Sequence, residues 1–128
     1  MTRTRVPARA AVAALMVVVA FSSSEAFAIK QFADQFKEVY VKEGTPLAAE
    51  VETAKCNVCH KGKSKKDRNV YGEALAKLLD KKEDKDNVEK IREVLAMIGK
   101  ESSDPANPAA PTFGSLIEAG KLPGGPVE

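Results

Sequence analysis

Cys56-Asn57-Val58-Cys59-His60 holds both cysteines of this 128-residue chain and its only histidine. The pattern C-x-x-C-H reads as a site for covalent attachment of a c-type haem. The spacing serves the chemistry. Two thiols three positions apart on one turn of chain can each form a thioether with one of the two haem vinyl groups. The imidazole beside the second cysteine is then placed to ligate the iron as the proximal ligand. Its other ring nitrogen is expected to donate to a backbone carbonyl, which fixes tautomer and ring plane. Competing readings weigh less. A structural zinc site takes four ligands, and the chain has neither a third cysteine nor a second histidine. A thioredoxin-like pair belongs in a βαβ setting, which the periodicities below do not provide, and a disulfide would close a very short loop. A redox dithiol and a disulfide stay as the alternatives to haem.

Toward the N-terminus the first 28 residues read as a leader rather than as part of the domain. Arg3, Arg5 and Arg9 form a positive n-region, and Ala10 to Phe21 is an apolar run. Ala26-Phe27-Ala28 is an A-x-A cleavage signal. A run of about 12 apolar residues is too short to span a bilayer, so cleavage after Ala28 is preferred to an uncleaved anchor. Thr4 separates Arg3 from Arg5, so no twin-arginine pair is present. The leader holds three of the 20 basic and one of the 18 acidic residues, which leaves a mature chain, 29–128, with 17 of each.

Helical periodicity governs what remains. Ile29, Phe32, Phe36, Val39 and Tyr40 recur at three- and four-residue spacing and predict an amphipathic helix from Ile29 to Lys42, ended by Gly44. Thr45-Pro46 reads as N-cap and first-turn proline of a short helix through Leu47 and Val51 that delivers Cys56 and Cys59. Asn69 caps a helix from Val70 to Asp80, with Tyr71, Leu75, Leu78 and Leu79 as its stripe. Lys81 to Lys85 reads as an exposed charged turn. Asp86 with Glu89 three residues on reads as a capping box, opening a helix whose inward face is Val88, Ile91, Val94, Leu95 and Ile98 and which stops at Gly99. Three prolines make regular structure improbable over Ser102 to Pro111. Thr112 caps a last short helix through Phe113, Leu116 and Ile117, closed by Gly120, and the tail from Lys121 is expected to fray. No strand alternation is visible. The fold class is all-α, in one domain.

Lys55, Lys61, Lys63, Lys65, Lys66 and Arg68 crowd around the motif. As a solvated loop they need no further explanation. As a rim around an exposed haem edge they would steer an acidic redox partner, or hold the haem propionates, in a salt-dependent manner. Balanced mature charge and the absence of aromatics interleaved with the basic run argue against nucleic acid.

The other face of the iron decides the function. With His60 proximal and both cysteines used in attachment, bis-histidine and histidine/cysteinate ligation are excluded within a monomer. Met97 is the sole methionine after the leader, and His/Met ligation raises the potential. On the helical wheel it lies off the apolar stripe of its own segment. A lysine, Tyr71 or no protein ligand are the alternatives.

The leader, the motif and the order of helices resemble the small mono-haem c-type cytochromes of the periplasm. That resemblance implies a cytochrome c-like helical domain packed around one haem, attached at Cys56 and Cys59 beyond the cytoplasmic membrane, in an electron carrier rather than an enzyme. The chain departs from the family's usual pattern, because Ser102 to Pro111 contains no methionine. A looser likeness, carried by Asn69-Val70-Tyr71-Gly72, Pro111-Thr112-Phe113-Gly114 and the basic segment, is to paired small cytochromes that bind nitric oxide. It implies a partner cytochrome, but not the distal cysteine of those proteins, which this chain lacks. Binding of a diatomic gas at an open distal site is therefore the alternative function. Peroxidatic catalysis is the weaker third, because no histidine remains as distal acid-base group.

Overall fold

Apolar residues at helical spacing become five α-helices and one 3-10 turn in the computed structural model, which describes residues 24–63 and 66–127. No strand occurs among the described residues, and the only β pairing there consists of two isolated bridges, His60 with Arg68 and Ser102 with Thr112. The all-α expectation holds. Residues 1–23 of the leader, and Lys65 of the basic segment, lie outside the described residues. No described helix is long and apolar enough to cross a membrane.

Helix α1 runs Ser24–Tyr40, so it starts before Ile29 and covers the expected cleavage signal. Its inward side chains are Phe36 and Gln35, with Phe32 and Tyr40 packed at the margin. Val39 was expected inside and stands 41% exposed. Gln35 takes an inward place because its amide is met: Arg92 Nε donates to Gln35 Oε1 at 2.7 Å, and the same guanidinium reaches Glu38 at 2.7 Å. Gly44, at φ 75°, turns the chain, a conformation that favours glycine.

Helix α2, Pro46–Ala54, has the expected cap, with the Thr45 hydroxyl accepting from Ala48 N. It outlasts the predicted segment and runs into a 3-10 turn, Lys55–Val58. Helix α3 spans Val70–Leu78, shorter than expected, because the backbone turns extended at Leu79. That turn carries Leu79 inward and leaves Leu78 39% exposed, against the expected stripe.

Helix α4, Val88–Ile98, is capped by Asn87, whose side chain accepts from Lys90 N, so Asp86 and Glu89 form no capping box. The preceding turn explains the shift. Asp84 is buried rather than exposed: it takes the Lys90 ammonium on both carboxylate oxygens at 2.8 Å and accepts from Asp80 N. Asn87 N then donates to Asp84 O and closes the turn one residue later than Asp86 would. Ile91, Val94, Leu95 and Ile98 are buried as expected, each worth roughly 1.5–3 kcal/mol of transfer free energy. Helix α5, Phe113–Glu118, has Thr112 as its cap.

The tail does not fray at Lys121. Leu122 and Pro123 are buried, and Gly124 lies so close to the Asn69 side chain that a Cβ there would overlap it. Four aromatic rings thread the core, Tyr40 to Phe36 at 5.3 Å, Phe36 to Tyr71 at 5.8 Å and Tyr71 to Phe113 at 5.2 Å between centroids.

Candidate functional site

The motif is presented on a sharp corner. Helix α2 ends at Lys55, a non-glycine residue at φ 50°, ψ −115°, a left-handed conformation that costs a side-chain-bearing residue of order 1–3 kcal/mol. Cys56 O then accepts from both Cys59 N, at 3.3 Å, and His60 N, at 3.0 Å. Those two bonds wind both cysteines and the histidine into one tight turn. Cys56 is exposed and Cys59 half-buried, and both are free thiols rather than a disulfide.

A bracket on α3 holds that turn. Asn69 Nδ2 donates to Asn57 O at 3.2 Å and to Val58 O at 2.9 Å, while its Oδ1 accepts from Gly72 N at 2.9 Å. Asn69 N donates to Cys59 O at 3.0 Å, and Gly72 lies on that same carbonyl with no room for a side chain. One residue therefore caps α3 and anchors three successive carbonyls of the motif. Sequence reading identified the cap and not the anchor, which joins positions 10 to 12 residues apart.

His60 is buried. Its Nδ1 lies 3.3 Å from Asp67 O, and because a carbonyl only accepts, Nδ1 is the donor in that contact. The expected carbonyl partner is present. Asp67 O also accepts from Lys61 N at 2.9 Å, closing the basic loop at its neck. Lys61, Gly62, Lys63, Lys66, Asp67, Arg68 and Glu73 line an open cavity of about 680 Å³ beside the motif. Four cations against two carboxylates give it a positive lining.

Burial, and then the neighbouring Cys56, push the Cys59 thiol up to about 12. A redox dithiol of the thioredoxin type belongs in a βαβ setting, which the described residues, all helical, do not provide. Among the described residues no three His, Cys, Asp or Glu side chains gather as a metal-ligand group, which leaves a zinc site of side chains alone without its ligand set. Met97 stands 51% exposed on α4, off that helix's buried face, as its place on the wheel implied.

No known protein family, curated protein or solved structure matches the chain. A covalently bound haem needs two thiols at this spacing, an adjacent imidazole with its outer nitrogen anchored, and a rigid turn beneath them. The residues present fit it.

Proposed function

We propose that this chain is an exported mono-haem c-type cytochrome with a cytochrome c-like helical fold, and that it carries single electrons. Cys56 and Cys59 would hold the haem covalently, and His60 Nε2 would be the proximal iron ligand. When bound, the haem supplies a one-electron ferric/ferrous couple. The observation that carries the reading is the His60 Nδ1 contact with Asp67 O, which orients the imidazole on a turn already fastened by Asn69. The cationic loop of Lys61, Lys63, Lys66 and Arg68 supports docking of an acidic redox partner, which a positive rim would steer.

The experiment is export of the full chain in a host that attaches haem c. Its readouts are the intact mass and the haem absorption spectrum of the denatured protein. One covalent haem per chain, a mature N-terminus at Ile29, and loss of the adduct in Cys56→Ala/Cys59→Ala support the proposal. A purified, exported chain whose mass shows no adduct sinks it.

Met97's exposure favours a second reading, in which the distal face stays without a protein ligand and takes a diatomic gas. Carbon monoxide added to the ferrous protein separates the two: a prompt spectral shift supports gas binding, and an unchanged spectrum supports the carrier.

A further inference from the structure

The C-terminal segment ends on the bracket that holds the motif. After α5 the chain turns at Gly120, φ 76°, where it lies against Pro46 at the start of α2. Lys121 N donates to Leu116 O at 2.9 Å, Leu122 and Pro123 enter the core, and Gly125 N donates to Leu122 O at 3.2 Å. Gly124, inside that last turn, lies on the Asn69 side chain.

Neither partner in this contact yields freely. Asn69 Nδ2 serves the Asn57 and Val58 carbonyls and its Oδ1 serves Gly72 N, so a swing of the amide breaks the bonds that shape the motif. On the other side, Pro123 is less than 2% exposed and Leu122 6%, and lifting them returns apolar surface to water. Gly124 is outside the left-handed region, so its backbone conformation does not demand glycine. The space against Asn69 does, since a Cβ at 124 would overlap the amide.

We propose that Leu122 to Gly125 is a strap that seats on Asn69 and holds its amide in register with the Asn57 and Val58 carbonyls. Pro123 and Gly124 are then positioning residues, acting through Asn69, for the turn that carries Cys56, Cys59 and His60. Its role in presenting a haem site rests on attachment at Cys56 and Cys59; the mechanical coupling of tail to turn does not.

The test uses the full exported chain and its Gly124→Ala, Asn69→Ala, doubly substituted and Gly44→Ala variants, with the mass of each determined first. The readout is amide hydrogen exchange resolved by residue. Gly124→Ala is expected to speed exchange at Cys59, His60 and Asn69 by about tenfold or more relative to Ile91 and Leu95 in α4. Gly44→Ala adds left-handed strain with nothing within 4 Å of the new Cβ, so it lowers stability and leaves that ratio in place. In the Asn69→Ala background, Gly124→Ala is expected to add less than about twofold, because the amide it displaces is gone. A ratio equal to wild type in Gly124→Ala, or an undiminished further effect in Asn69→Ala, overturns the strap. Should Gly124→Ala not fold, wild type in sub-denaturing guanidinium decides. The Lys121 and Gly125 amides open together with those of Cys59 and His60 if strap and turn are one unit, and tail amides that open while the turn stays protected reject it. Absence of a haem adduct from the wild-type mass overturns the reading of the site, and the exchange ratios still decide the strap.

Discussion

The Asn69 amide donates to the Val58 carbonyl at 2.9 Å, across 11 residues of chain. A helix cap thereby doubles as the anchor of the candidate haem turn, and the two roles are separable. Asn69→Ser keeps an oxygen to cap α3 but cannot donate to both the Asn57 and Val58 carbonyls, whereas Asn69→Ala loses both functions. Losing a cap costs about 1 kcal/mol, and stranding part-buried carbonyls about 1–3 kcal/mol more. Denaturant unfolding is expected to rank wild type above Asn69→Ser above Asn69→Ala. Equal values for the two variants would show that the anchor contributes nothing.

Gly72→Ala tests the same seam from the other side. In an exposed helix this change gains up to about 1 kcal/mol. Here the added Cβ falls on Cys59 O, backbone that cannot swing aside. The expected outcome is a net loss of about 1–3 kcal/mol, as in overpacked cores, with a lower yield of haem-loaded protein. Thermal unfolding reads the first and the haem-to-protein absorbance ratio the second. A gain in stability would mean the two segments are not in contact.

The elements were legible in the sequence because periodicity and caps are local. Thr45, Asn69 and Thr112 each cap the helix assigned to them, and Ile91, Val94, Leu95 and Ile98 of the α4 stripe are buried as the wheel implied, with Val88 only half-buried. Contacts reaching across the chain were not legible. Gln35 is inside because Arg92, 57 positions away, satisfies it. Asp84 is inside because Lys90 does the same, and no window of charged residues announces that. The tail after Lys121 has the composition of a frayed end, yet Leu122 and Pro123 pack into the core and Gly124 meets Asn69. At the site, the cysteines and histidine were visible as a motif, whereas the bracket that shapes them comes from tertiary packing.

Asp84 sets an acid limit on the α3–α4 turn. Its pKa is lowered below 3.8, first by the Lys90 hydrogen bond and then by the Asp80 backbone N–H. A depressed folded pKa contributes stability that is present above the unfolded value and is lost as pH falls through the folded one. Asp84→Asn should therefore lower the melting temperature at pH 7, and the gap should close below about pH 4. A gap that persists undiminished at pH 2–3 would assign the effect to packing rather than to charge.

Cationic steering has its own signature in salt. Glutamate substitutions at Lys61 and Lys63 reverse two charges on the open face beside the motif. Electron exchange with an acidic partner protein is expected to slow by about tenfold or more at low ionic strength. The difference should shrink at 0.5–1 M salt, where the Debye length falls to a few ångströms (about 3 Å at 1 M). Equal rates for variant and wild type at low salt would make the basic segment a solvated loop and nothing further.

Met97 is the remaining candidate for the distal side, and its position sets a demanding condition. Its side chain is 51% exposed, while Ile91, Val94, Leu95 and Ile98 hold α4 by a different face. Ligation would require the end of α4 to rotate or unwind, removing Ile98 from the core at roughly 1.5–3 kcal/mol. Left where it stands, Met97 behaves as a surface residue, for which substitution changes stability by no more than about 0.5 kcal/mol. In the haem-loaded protein, Met97→Ala is therefore expected to leave the melting temperature and both the ferric and ferrous spectra unchanged. A change of axial-ligand bands together with a large fall in potential would instead make Met97 the sixth ligand, and would require the last turn of α4 to repack when haem binds.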